Sequence, residues 1–271
     1  MWRAARCAER HRQQGFRSFE QIGLEATRGA IASFTALQHP PRQVAGVADT
    51  TYGPDPAQRA RVYIPPGNGP FPVILLVHGG GFVGGGLDVV DERARALALD
   101  VSAVVVAATY RLAPEARFPS AHDDVLAALQ WTARGISAHR GDPQRVALLG
   151  DSAGANLAAS AAIRARDAGE PAIRSLVLFC PLVNPVADPR LALDRNPLAG
   201  LPPTLVVTVE YDPLRDEGEQ FAAALRASGV DVTSTRIDGL VHTTYSASAA
   251  VPRSAEIHNA AVRHLRTSLA A

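Results

Sequence analysis

Val146-Ala147-Leu148-Leu149-Gly150-Asp151-Ser152-Ala153-Gly154-Ala155-Asn156-Leu157-Ala158-Ala159 is the stretch that decides how this chain is read. An apolar run stops at a serine bracketed by two glycines, and a helical pattern begins immediately behind it. A strand that turns sharply into a helix leaves its turn residue in a strained backbone conformation, and the flanking glycines give the room that close strand and helix approach requires. The Ser152 hydroxyl is therefore expected at a sheet edge. A five-residue pattern is weak alone, so partners must come from the rest of the chain.

Buried-strand runs lie over 72–78, 102–110, 145–150, 175–180, 204–210 and 231–237, and helical patterns over 91–100, 120–134, 153–168, 214–228 and 254–269 fall between or after them. This alternation predicts an α/β fold with a mostly parallel sheet and helices on both faces. Two edge strands over 44–52 and 59–64, joined by the turn signal Gly53-Pro54-Asp55-Pro56, bring the sheet to about eight strands. Before them, apolar positions over 18–38 recur at helical spacing and end at Pro40-Pro41, so residues 1–42 are read as an N-terminal cap helix segment and 43–271 as the catalytic domain. No linker divides the chain.

Of the 271 residues 47% are hydrophobic and 20% charged, and the formal charge is +1, which suits a globular enzyme and argues against nucleic-acid binding. All 27 basic residues are arginine, and no functional reading is drawn from that. Cys7 and Cys180 are too few for a disulfide framework and lack metal-ligand spacing, which fits a reducing cytoplasm. No apolar run reaches the roughly 20 residues of a membrane span, and no secretory signal is visible. Arg3, Arg6, Arg10, Arg12 and Arg17 against Glu9 alone give the N-terminus a bias shared with organellar transit peptides; a cytoplasmic location is the expectation taken.

Ligand sites in such sheets lie beyond the carboxyl ends of strands. After 72–77 comes His78-Gly79-Gly80-Gly81-Phe82, in which Gly79, Gly81 and Gly84 spell a literal G-x-G-x-x-G. A dinucleotide site would also need an acid at the end of the next strand, which instead ends in Ala107-Ala108-Thr109-Tyr110-Arg111, with Asp100 at the wrong edge. Three glycines in a row better suit a loop whose backbone N–H groups point at developing negative charge; a merely flexible loop is the plain alternative. Ala153, behind the nucleophile at a helix start, supplies another such donor.

A serine needs a base to take its proton and an acid to orient that base. Of eight histidines, His11, His39, His122, His139, His258 and His264 are read as mostly solvated, and His78 as structural, holding the glycine loop by a side-chain hydrogen bond. His242 follows the last strand in the loop Asp238-Gly239-Leu240-Val241-His242. Asp212 is chosen as the acid, although Asp followed by Pro213 also suits a helix start with Asp at the N-cap. Glu210 should still lie in the strand and Asp216 a turn into the helix, so both are worse placed.

Taken together, these segments resemble the hormone-sensitive-lipase branch of the α/β-hydrolase fold, from about Arg59 to the C-terminus. The resemblance rests on His78-Gly79-Gly80-Gly81-Phe82, Tyr110-Arg111-Leu112-Ala113-Pro114-Glu115, Phe118-Pro119 with Asp123-Asp124, Gly150-Asp151-Ser152-Ala153-Gly154, Asp212-Pro213-Leu214-Arg215-Asp216-Glu217 and His242. It implies Ser152 as nucleophile, His242 as general base, Asp212 as its partner, N–H groups of Gly80, Gly81 and Ala153 as oxyanion hole, and no metal or organic cofactor. Similar members are mostly carboxylesterases of short acyl esters, so the expected partner is a small ester, with no nucleic acid and no membrane span, and the chain a monomer or homodimer. An amidase, arylformamidase or deacetylase with the same machinery is the alternative among enzymes. A non-catalytic receptor, as in the plant gibberellin receptors, is the alternative outside them, and those have lost the histidine.

Two departures stand out. The family usually places Gly and Phe after the histidine, where this chain has Thr243-Thr244-Tyr245. Relatives commonly insert cap helices before the seventh strand, whereas the proline-rich 182–203 leaves little room for them. An unusually open site is expected.

Overall fold

The structure is a computed structural model that describes residues 22–184, 190 and 192–270. Eight strands form one sheet: β1 (Gly46–Thr51), β2 (Arg59–Ile64), β3 (Phe71–Val77), β4 (Val104–Ala108), β5 (Gly141–Asp151), β6 (Ser175–Phe179), β7 (Thr204–Tyr211) and β8 (Val232–Val241). Their order is β1-β2-β4-β3-β5-β6-β7-β8; β2 runs antiparallel to both neighbours and the rest pair in parallel. This is the mostly parallel sheet expected from the alternation of runs, in the α/β-hydrolase architecture that the resemblance implies.

Among the described residues six helices cover it: α1 (Leu24–Ser33), α2 (Leu87–Val101), α3 (Ser120–Gly135), α4 (Ala153–Ala168), α5 (Arg215–Ala227) and α6 (Ala255–Ser268). Period-2 alternation sends Val73, Leu75 and Val77 to one core layer with α3, α4 and α5, and Ile74 and Leu76 to the other with α2 and α6. Both layers are closed, so β3 to β6 read as unbroken apolar runs rather than alternating ones.

Boundaries differ from the sequence reading in several places, of which those around the site matter most. β8 continues to Val241 instead of ending near Ile237, because the β7–β8 register shifts between Val209 and Tyr211 and resumes at the pair Tyr211 with Val241. The segment 238–241 read as loop is therefore strand, with the Gly239 N–H donating to Glu210 Oε2 at 2.8 Å. α5 begins at Arg215 with Leu214 as N-cap, so Asp212 is not the cap residue. Its carboxylate instead accepts the Leu214 N–H at 2.8 Å in the preceding turn. Of the N-terminal helix expected over 18–38, α1 and a 3₁₀ turn, Phe34–Leu37, are described. The arginine-rich start, Cys7 and His11 lie outside the described residues.

Candidate active site

Ser152 sits between β5 and α4 at φ 55°, ψ −120°, a conformation that side chains rarely adopt. The chain tolerates it because the turn is pinned from both sides: Ser152 N–H donates to Phe179 O at 2.9 Å, and Leu182 N–H to Ser152 O at 3.3 Å. Gly154 is required by close approach, since a Cβ there would lie 2.5 Å from the His78 carbonyl oxygen. The glycines of the motif thus let α4 start directly against the end of β3.

His242 follows β8 and is half-buried. Its Nδ1 lies 2.8 Å from Asp212 Oδ2 and its Nε2 3.0 Å from Ser152 Oγ. A carboxylate can only accept, so Nδ1 carries the proton and Nε2 is left to accept from the hydroxyl. Asp212 is buried at 8% exposure. Burial pushes its carboxyl up, yet hydrogen bonds from His242, the Leu214 N–H and the Cys180 thiol outweigh this and hold it below the ordinary value. Cys180 itself, at the end of β6, is driven well up by burial and by facing Asp212. Cys180, Asp212 and His242 have ligand-capable atoms within 4.8 Å of one another, but these are engaged in the hydrogen bonds just given.

His78 plays the structural part expected of it. It is 2% exposed, stacks on Tyr110 with ring centres 4.4 Å apart, and donates from Nδ1 to Gly79 O at 2.8 Å. Desolvation lowers its pKa and keeps it neutral. Gly80 holds φ 124°, and its carbonyl accepts the N–H groups of Val83 and Gly84 at 3.1 and 3.0 Å. Arg28 of α1 braces the same loop from outside, donating from Nε to Val83 O at 2.7 Å and pairing with Glu115 at 2.7 Å.

Several other placements differ from expectation. His122 is buried rather than solvated: it donates from Nε2 to Asn156 Oδ1 at 3.1 Å and packs against Phe82 and Phe118. His258 is half-buried and meets Asp100 Oδ2 at 2.9 Å, and His264 is also half-buried. Thr243, in place of the family's glycine, is held at φ 70°. Arg93, which sequence reasoning passed over, is buried at 3% exposure against Asp151. Its signal was legible, since a single arginine interrupts the apolar stripe Val90, Ala94, Leu97 of α2.

Between β6 and β7 the described residues contain no α-helix, in keeping with a reduced cap. A cleft of about 920 Å³ lies between α1, the β1–β2 turn and the loop after β4, and is lined by none of the triad. Ser152 and His242 border a cavity of only about 20 Å³. No helix among the described residues is long and apolar enough to cross a membrane.

Residues 74–191 and 184–246 match the family model described as alpha/beta hydrolase fold. The chain is 35% identical over 248 residues to the carboxylesterase NlhH of Mycobacterium tuberculosis, covering 77% of this chain and 78% of that protein. It is 32% identical over 221 residues to the ethyl acetate hydrolase of Pseudomonas putida, covering 67% and 70%. Among solved structures it is similar to EstE1, a thermophilic carboxylesterase cloned from a metagenomic library, at TM-score 0.82 and 35% identity over 94% of this chain and 99% of that one. An esterase of Pyrobaculum calidifontis matches at TM-score 0.83 and 32% identity, over 92% and 94%. The family match, the likeness to these esterases and a serine, imidazole and carboxylate in hydrogen-bonded series make the assignment: the chain belongs to the α/β-hydrolase fold family, on its hormone-sensitive-lipase-like branch, and is a serine ester hydrolase.

Proposed function

We propose that the protein hydrolyses short-chain carboxylic esters, with Ser152 as nucleophile, His242 as general base, Asp212 as its partner, and the N–H groups of Gly80, Gly81 and Ala153 as oxyanion hole. The observation that carries this reading is the pair of hydrogen bonds at 2.8 and 3.0 Å through His242. Ser152 Oγ attacks the ester carbonyl while Nε2 takes its proton. The imidazolium, steadied by Asp212, returns that proton to the departing alcohol, and water activated by the same nitrogen releases the acid from the acyl-enzyme.

The oxyanion assignment is supported by where three carbonyls point. In a trans peptide the N–H lies opposite the preceding C=O. The Gly79 carbonyl is held by His78, that of Gly80 by Val83 and Gly84, and that of Ser152 by Ala155, Asn156 and Leu182. Each pinned carbonyl turns the following N–H, of Gly80, Gly81 and Ala153 respectively, away from its own partners. Donors fixed before the reaction need no reorganisation as charge develops.

The preference for acetyl to hexanoyl esters rests on the short connection between β6 and β7, which among the described residues holds no α-helix; a site so little covered is shallow and buries few methylenes at about 0.8 kcal/mol each. The named activity of the Pseudomonas relative, an ethyl acetate hydrolase, points the same way. The segment 1–42 is the proposed cap, and contacts from its described residues support this: Arg28 grips the glycine loop, and Gln38 Nε2 reaches Val89 O at 2.8 Å and Ser246 O, beyond His242, at 3.3 Å. A cytoplasmic location fits the two-cysteine composition.

The test is a nitrophenyl ester series from acetyl to palmitoyl, run with formyl and acetyl amides, on wild type and Ser152→Ala. Turnover falling beyond hexanoyl and absent from a folded Ser152→Ala is the expected result. Rising turnover through long chains, faster amide cleavage, or residual activity in pure Ser152→Ala would overturn the reading.

A further inference from the structure

Arg93 is a charged side chain in an apolar layer of α2, and its guanidinium touches two separate segments around the nucleophile and reaches a third through Asp151. Nη1 donates to Asp151 Oδ1 at 2.9 Å, and Nη2 to Ser246 Oγ at 2.7 Å. The guanidinium carbon lies 3.9 Å from the centre of the Tyr245 ring, which meets Phe179 edge-on at 4.5 Å. The same Asp151 oxygen accepts the Gly79 N–H at 3.2 Å. One cation therefore joins the serine elbow, the glycine loop and the turn behind His242.

We propose that Arg93 is a positioning residue for ester hydrolysis: it holds the Gly79 loop and the His242 turn in register with Ser152 and cancels the Asp151 charge beside the forming oxyanion. The proposal rests on the serine-hydrolase mechanism above. Burying a guanidinium is costly unless it is paired, and a pair in an apolar layer is weak evidence for stability as such. Its place is explained by what it adjoins. Asp151 precedes the nucleophile, and negative charge gathers on the substrate oxygen in the transition state. An uncompensated carboxylate there opposes that charge, whereas the paired one serves as an anchor for the glycine loop. The turn after His242 lacks the family's glycine and aromatic pair; the cation over Tyr245 and the bond to Ser246 fasten it instead.

The experiment compares kcat and KM on a nitrophenyl acetate for wild type, Ser152→Ala, Arg93→Met, Arg93→Lys and Arg93→Met combined with Asp151→Asn. Loss of all turnover in Ser152→Ala secures the underlying mechanism independently of Arg93. A lost bond that shifts reacting groups by about an ångström costs on the order of 100-fold, so Arg93→Met is expected to lose about that in kcat with KM within about threefold. Asn in place of Asp151 keeps an acceptor for Gly79 and removes the stranded charge, so the double variant is expected to recover at least about tenfold of the loss. Arg93→Met with kcat within about threefold of wild type, or a double variant no better than the single one, overturns the proposal. If Arg93→Met shows no cooperative melt, Arg93→Lys decides: reduced kcat at unchanged KM and a near-wild-type thermal midpoint supports it, and unchanged kcat overturns it.

Discussion

Tyr211 and Val241 face each other as the last paired residues of β7 and β8, so Asp212 and His242, each the next residue along, leave the sheet side by side. Their side chains then meet at 2.8 Å although thirty positions separate them in sequence. The register shift before Tyr211 sets which residues stand at this exit.

Asp212→Asn removes the acceptor that fixes the proton on Nδ1 of His242. The amide can present its NH₂ to that nitrogen and stabilise the tautomer with the proton on Nε2, facing the serine. A fall in kcat of roughly 10³ to 10⁴ with little change in KM is expected, from steady-state kinetics on a short ester.

The same residue ties stability to pH. The folded-state pKa of Asp212 is depressed below its ordinary 3.8, so the unfolded chain binds more protons in the window between the two values. Its contribution is present above the unfolded value and is lost as pH falls through the folded one. Thermal melts between pH 7 and pH 3 should show a steeper fall below about pH 4 in wild type than in Asp212→Asn. Parallel curves would contradict this.

Thr243 is exposed and β-branched, held at φ 70° directly after the catalytic histidine. Glycine at this position relieves strain of about 1 to 2 kcal/mol, partly offset by the greater freedom of the unfolded chain. Thr243→Gly is expected to raise the thermal midpoint by a few degrees, read by calorimetry.

Gly154→Ala pushes a Cβ to 2.5 Å from the His78 carbonyl oxygen, where backbone rather than a movable side chain must yield. A loss of about 3 to 5 kcal/mol, or about 10 °C in thermal midpoint, is expected together with loss of activity. An active Gly154→Ala with wild-type stability would show that α4 can withdraw from β3.

Much of this was legible in the sequence because it depends on local chemistry. The buried strands declare themselves as apolar runs, and Ser152 as the hinge between such a run and an alanine-rich helix. His242 could be chosen from eight histidines because it alone follows the last strand in a loop. Reading failed where an environment is assembled from afar. His122 stands in the sequence among histidines that read as mostly solvated, but Phe82, Phe118 and Asn156 enclose it from three other segments. The proline after Asp212 suggested a helix cap, yet its carboxylate serves the Leu214 N–H and His242 while the helix starts later.

The sequence by itself determined the order of strands and helices, the serine at a strand-to-helix turn, and an acid and a base after later strands, because periodicity and turn chemistry act over neighbouring residues. Only the tertiary structure decided that His242 spans Asp212 and Ser152 at hydrogen-bonding distance, that β8 runs on to Val241, and that Arg93 lies buried beneath the site. Those facts depend on strand register and on which distant side chains share one volume, and neither is a property of any single stretch of chain.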